Sequence, residues 1–304
     1  MRKLANAAIG MALVAVAGCG GTAATPPARV AVTHFTVPAS PTTTAAVGAG
    51  AASPDVLARS SMAATVTGRP VRIMPVGDSL TQGTDPEDPS KAQTYRGYLE
   101  ARLRAAGYDV DFVGSDRTLP IAGSDPDSEG HGGFTIGPDG SNLCATCPPA
   151  NVSDNIGGWV ERNQPDVILL LIGINDLFPI ETRTNGALRP VVPEDAPAKL
   201  VALVDRMEAV APNAEILVAS YPPLPFARSA GPDTMARFTA LNDAARLAGS
   251  RGGRVHYVPL FEALSPSWTL VDTVSDGVHP SILGGDKMAS VFEAVLTPLL
   301  ADPS

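Results

Sequence analysis

Four short polar blocks in this 304-residue sequence carry residue types that together could transfer an acyl group: Gly77-Asp78-Ser79-Leu80, Gly130-His131-Gly132-Gly133-Phe134, Gly173-Ile174-Asn175-Asp176 and Asp276-Gly277-Val278-His279-Pro280. A serine hydroxyl is a weak nucleophile and needs a neutral imidazole to accept its proton as it attacks. That imidazole needs a carboxylate on its other nitrogen, to fix the tautomer and stabilise the imidazolium. Asp276 precedes His279 by three residues, so a tight loop could aim it at Nδ1. The oxyanion of a tetrahedral intermediate needs donors aimed in advance, and losing one costs about 10²–10³-fold in turnover. The N–H of Ser79, the N–H of Gly133 and the side-chain amide of Asn175 could supply three. A glycine suits the second position because no Cβ obstructs the approach of a substrate.

Such blocks act together only if the fold places them together. Apolar strand-like runs alternate with helical stretches after Gly68. Strands are expected at 71–76, 110–113, 166–172, 214–219 and 255–258, and helices at 95–106, 196–210, 234–248 and 281–300. The run from Val167 to Ile172 is continuously apolar, as in a parallel strand covered on both faces. Strands separated by helices predict a five-stranded parallel sheet with right-handed crossovers, a three-layer α/β/α sandwich. No repeat and no second linker is evident, so one domain over 69–304 is expected. Ligands of open parallel sheets bind beyond the carboxyl ends of the strands. The four blocks lie there.

In this order, on these element junctions, the blocks resemble the SGNH (GDSL-type) serine hydrolase family over residues 71–300. The resemblance implies a flavodoxin-like α/β/α fold and hydrolysis of esters, thioesters or O-acetyl groups. It carries the nucleophile onto Ser79, the Asp–His pair onto Asp276 and His279, and the oxyanion donors onto Gly133 and Asn175, with the N–H of Ser79. His131, Gly132 and Gly133 could exchange register; Gly133 is preferred because it precedes the aromatic, as in relatives reading Gly-x-Gly-aromatic. The Gly-His-Gly-Gly-Phe block and the Asp-Gly-Val-His-Pro ending look most similar to the secreted carbohydrate O-acetylesterases, such as acetylxylan esterases. The polar stretch Thr84 to Lys91, with Asp85, Glu87 and Asp88, also favours a small acyl group on a polar alcohol. A short-chain lipid esterase or thioesterase is the competing enzyme, and a catalytically inert binding lipoprotein the non-enzymatic alternative.

Each residue also has a plainer role available. Ser79 could cap the helix after the first strand. Asn175 and Asp176 could be turn residues bonded to their own backbone, and His279 a surface histidine before Pro280. His131 could line the site or stand outside it, while His34 and His256 have weaker claims. Asp78 is expected to hold its loop through hydrogen bonds. No Gly-x-Gly-x-x-Gly follows the first strand, which sets a dinucleotide-binding domain aside.

Composition narrows the classes further. Hydrophobic residues at 44% supply a core, and a formal charge of −9 argues against nucleic acid as partner. Three cysteines and four histidines are too few for a disulfide framework or a thiolate metal site. Neither metal nor cofactor is expected, and the partner is a small-molecule or polysaccharide ester. The chain is expected to be monomeric. Cys144 and Cys147 sit in a Gly-, Pro- and Asn-containing loop, where an exported protein would form a short-range disulfide.

Residues 1–18 combine Arg2 and Lys3, an apolar stretch and small residues, which is the pattern of a secretory signal. The apolar part is shorter than the roughly 20 residues a membrane span takes. Val16-Ala17-Gly18-Cys19 looks like a bacterial lipobox, implying lipid on Cys19 and a protein held at the outer face of the cytoplasmic membrane or secreted. Residues 19–68, rich in Ala, Thr and Pro, should be a disordered tether, since they lack the apolar periodicity that would offset ordering entropy.

Overall fold

β1 (Val71–Gly77) is the organising strand, because it pairs on one side with two short segments and on the other with the central strand. The computed structural model describes residues 69–83, 94–117, 123–138, 151–177, 181–184, 187–190 and 193–301. The leader, Cys19, His34, the tether, the 84–91 stretch and the Cys144/Cys147 pair lie outside the described residues.

Along the chain come α1 (Ser79–Gln82), α2 (Tyr95–Ala105), β2 (Val110–Phe112), β3 (Glu129–Gly130), α3 (Val152–Asn163) and β4 (Val167–Leu171). An antiparallel pair, β5 (Glu181–Thr184) and β6 (Ala187–Pro190), precedes α4 (Ala196–Val210) and β7 (Glu215–Ala219). Then follow α5 (Pro225–Ser229), α6 (Pro232–Gly249), β8 (Val255–Val258), α7 (Leu260–Leu264) and α8 (Ile282–Leu300). The main sheet runs β2-β1-β4-β7-β8, all parallel, with β3 also pairing to β1. Helices α2, α7 and α8 pack together, as do α3, α4 and α6, completing the expected α/β/α layers.

Every residue of β4 and β7 is buried, which accounts for sequences that are apolar throughout except for Glu215 at the start of β7, which faces His256 at 2.6 Å. The edge beside β1 is split for a local reason. Val71 N–H, Ile73 O and Gly77 O all bond toward that edge, so Pro75 faces it too. Proline has no N–H to donate. β2 ends opposite Ile73 and β3 begins opposite Val76, leaving Pro75 in the gap. Across the other layer, Tyr95 of α2 stacks on Phe292 of α8 with ring centroids 4.5 Å apart, a contact worth about 1 kcal/mol beyond its buried area.

The expected elements fall within a residue or two of the observed ones. α6 starts at Pro232 rather than 234, because a proline is well suited to the first turn of a helix. Five features have no counterpart among the expected elements: the two-residue β3, the β5–β6 pair and the helices α3, α5 and α7.

Candidate active site

Ser79 is the first residue of the one-turn helix α1, directly beyond the carboxyl end of β1. The turn from strand to helix is tight. A Cβ on Gly77 would stand 2.1 Å from Leu171 O, so only glycine fits. The helix is capped by Asp78, whose Oδ1 accepts from Leu80 N–H at 3.0 Å, so capping falls to Asp78 and leaves the Ser79 hydroxyl for other contacts. Asp78 is fully buried, and its Oδ2 also accepts from Tyr221 Oη at 2.5 Å. Burial raises the Asp78 pKa against the pull of these hydrogen bonds, and burial beside Asp78 pushes the Tyr221 phenol well above its ordinary value.

The Asp276–His279 segment is a loop closed at its base by the pairing of Thr273 with Pro280 and by Val274 N–H donating to His279 O at 2.9 Å. Gly277 turns it with φ +70°, a conformation that favours glycine. Asp276 Oδ1 accepts from the N–H groups of Val278 (2.8 Å) and His279 (3.0 Å), while Oδ2 lies 2.6 Å from His279 Nδ1. Burial would raise the Asp276 pKa, but the bonds from His279 and the two amides outweigh it and hold the carboxyl below its ordinary range. On the other side of the ring, His279 Nε2 lies 2.8 Å from Ser79 Oγ across 200 residues of sequence.

The second block curls beside α1. His131 N–H donates to Gly77 O at 2.9 Å, extending the β1 ladder, and Phe134 N–H donates back to His131 O at 3.1 Å. Gly133 has φ +80°, and a Cβ there would meet nothing within 4 Å. Conformation, rather than crowding by the protein, therefore demands glycine here, and the open side is left for another molecule. Among the described residues neither Gly133 N–H nor Ser79 N–H has a hydrogen-bond partner. Asn175 opens a 3-10 turn beyond β4 and donates one amide proton to Phe134 O at 2.8 Å, which leaves its second proton for another acceptor. Asp176 N–H closes the turn onto Gly173 O at 3.1 Å, while its buried carboxylate accepts from Ile136 N–H at 3.0 Å.

The described histidines separate cleanly. His131 faces Glu129 at 2.9 Å and stacks against both Phe134 and Trp159, which also stack on each other, and His256 faces Glu215 at 2.6 Å. Only His279 has a carboxylate on one nitrogen and a hydroxyl on the other. A hydroxyl in line with such a ring can surrender its proton while attacking an acyl carbon. His131 instead braces the glycine loop.

Three contributors were not singled out from sequence. Tyr221 follows β7, and its hydroxyl also accepts from Ile174 N–H at 2.9 Å. Arg96 is fully buried and donates to Thr81 O (2.8 Å), Gln82 O (3.1 Å) and Pro126 O (2.9 Å). Gln82 contacts both Asp116 and Gly132. No local pattern marks any of them, because each partner is distant in sequence.

The GDSL-like Lipase/Acylhydrolase family model matches residues 76–286, a span holding all five site residues. Among solved structures, a family 3 carbohydrate esterase of Clostridium thermocellum is 29% identical, with a TM-score of 0.55, covering 76% of this chain and 98% of its own. A carbohydrate esterase family 3 structure from Talaromyces cellulolyticus shares the fold at 24% identity and a TM-score of 0.56, covering 77% of this chain and 100% of its own. A curated relative named multidomain esterase, from Ruminococcus flavefaciens, is 27% identical over 243 residues, 73% of this chain. This chain spans only 28% of that relative's length.

Proposed function

This chain belongs to the GDSL-like lipase/acylhydrolase family, and from that premise we propose that it is a serine esterase that removes acetyl groups from a carbohydrate. The observation that carries the reading is the line from Ser79 Oγ through His279 to Asp276, with separations of 2.8 and 2.6 Å.

Ser79 Oγ attacks the ester carbonyl as its proton passes to His279 Nε2. Asp276 holds Nδ1–H and stabilises the imidazolium. The carbonyl oxygen, now an oxyanion, is met by Ser79 N–H, Gly133 N–H and the second amide proton of Asn175. Collapse of the tetrahedral species breaks the C–O bond, and the departing alcohol takes the proton from His279. Water then gives a proton to the same nitrogen while attacking the acyl-enzyme, and acetate leaves with Ser79 restored.

The carbohydrate reading is supported by the 29% identity to an enzyme described as a family 3 carbohydrate esterase. A second reading, a short-chain lipid esterase or thioesterase, draws on four exposed side chains near His279. Leu270, Val271, Ile282 and Leu283 are 76, 66, 56 and 56% exposed, and Ser281 ties the two pairs together by donating to Val271 O. Esters graded from acetyl to octanoyl separate the two. A steep fall after acetyl supports the sugar substrate, and rising turnover supports the lipid one. A fluorophosphonate tests both against an inert binder: labelling located at Ser79 is expected, and absence of labelling contradicts an esterase.

The N-terminal residues extend the proposal. Cleavage before Cys19, acylation of that cysteine and a tether over 19–68 would hold the domain at the cell envelope, acting as a monomer. A diacylglyceryl mass on the Cys19 peptide is the expected finding, and an unmodified cleaved cysteine contradicts it. A Cys144–Cys147 bridge would be seen as two free thiols gained on reduction.

A further inference from the structure

We infer that Gln82 is the positioning residue that aims the Gly133 N–H at the reacting oxygen; the inference rests on the esterase reading above. Gln82 is the last residue of α1, the four-residue helix whose first residue is Ser79. Its side-chain Nε2 donates to Asp116 Oδ2 at 2.7 Å, and its Oε1 accepts from Gly132 N–H at 3.0 Å. One rigid helical turn therefore carries the nucleophile at one end and the clamp on the oxyanion loop at the other.

The backbone of that loop shows why the clamp matters. Downstream, Phe134 O is held by Asn175 Nδ2 and Phe134 N–H by His131 O. Upstream, Gly132 N–H is held by Gln82. Between these points lie only the torsions of Gly132 and Gly133, and glycine torsions are the freest of any residue. Without the bond to Gln82, the peptide plane carrying Gly133 N–H can swing about Gly132. The clamp is itself anchored. Buried Arg96 donates to both Thr81 O and Gln82 O and, through another nitrogen, to Pro126 O in the segment leading to β3. A Cβ at Gly130 would stand 2.5 Å from Gln82 N, so the two segments are in backbone contact.

A residue acting this way affects the transition state and leaves ground-state binding alone. The test compares the full chain with its Gln82→Ala variant on p-nitrophenyl acetate and with methylboronic acid, which forms a tetrahedral adduct on an activated serine. We expect kcat to fall about tenfold or more, short of the 10²–10³-fold for deleting a donor outright, since the donor is misaimed rather than removed. KM should stay within about threefold, and boronate affinity should fall in step with kcat. Gln82→Glu keeps an acceptor for Gly132 but sets a carboxylate against Asp116, and should be impaired. Adding Asp116→Asn restores a donor from the other side and should recover most of the activity. The Glu variant, alone and in the pair, carries the test if the alanine variant does not fold. Wild-type kcat and boronate affinity in a folded Gln82→Ala chain would overturn the inference, as would a folded double variant no better than Gln82→Glu. No boronate adduct on Ser79 in the unsubstituted chain would overturn the esterase reading itself, and this inference with it.

Discussion

Tyr221 Oη lies 2.5 Å from Asp78 Oδ2 across 143 residues and accepts at the same time from Ile174 N–H at 2.9 Å. The phenol thus joins the residue before Ser79 to the residue before Asn175. Tyr221 N–H donates to Asn242 Oδ1 of α6 at 2.8 Å, so the bridge is fastened to the helical layer as well. Further along the same linker, Phe226 N–H donates to Gly277 O at 3.2 Å. The stretch after β7 therefore touches the Ser79 block, the Asn175 block and the His279 loop.

Replacing Tyr221 by phenylalanine should destabilise the fold by about 1–3 kcal/mol, because Ile174 N–H and Asp78 both lose a buried partner. Turnover should fall with it, since Asp78 caps the helix that presents Ser79. Urea denaturation and initial rates measure the two effects. Unchanged stability would remove the bridging role.

Gly133→Ala places an L-residue at φ +80° with no atoms to clash against. The cost is conformational, about 1–2 kcal/mol, and the loop will relieve it by rotating the peptide. Turnover should drop about 10–100-fold, while the melting temperature moves by only a few degrees. Full activity in this variant would exclude Gly133 as a donor.

Acid stability should depend on Asp272 and Asp276, whose folded pKa values both lie below the ordinary carboxylate value. For Asp272, burial raises the pKa, and bonds from Lys287 and Thr269 outweigh it. A depressed carboxyl contributes stability above its unfolded pKa, and that contribution fades as pH falls through the folded pKa. Asp78 has the opposite sign: its pKa is raised, so its contribution declines as pH rises. Asp272→Asn should therefore be less stable than the unsubstituted chain near neutrality, with the gap narrowing below about pH 4. Denaturation midpoints across that range provide the check, and a gap independent of pH would contradict the assignment.

The legible parts of the fold were those specified locally. The apolar run Val167–Leu171 announced a buried parallel strand, and α4 fell at its expected limits because Ala196-Pro197 and a helical apolar spacing mark it. α3 is obscured in the sequence by Gly157-Gly158, which interrupts a pattern otherwise set by Asn151 as cap and by Val152, Ile156, Trp159 and Val160 at helical spacing. The β5–β6 pair carried its own signal, Asn185-Gly186, a strong hairpin dipeptide. β3 had no signal, because two residues with Glu129 among them become a strand only when β1 lies alongside.

The site divides in the same way. Ser79 and Asn175 could be picked out because their chemical types sit just beyond strands, and Asp276 and His279 because they stand three residues apart ahead of the last helix. Gly133 could be picked out too, as a residue with no Cβ to obstruct a substrate; its positive φ is a second demand for glycine that the sequence does not display. Tyr221, Gln82 and Arg96 were invisible because ordinary residues acquire their roles only through partners 14 to 143 residues away. His131 could not be decided from sequence, since its exclusion depends on where Glu129 and Trp159 stand.

The central claim is that the Ser79 hydroxyl, and no other, carries the acyl group. Turnover of p-nitrophenyl acetate by Ser79→Ala, with folding verified by circular dichroism, tests it most directly. The account predicts a loss of several orders of magnitude, down toward the residual catalysis left by binding and oxyanion donors alone. A folded Ser79→Ala chain that turns over the ester at the unsubstituted rate would contradict it.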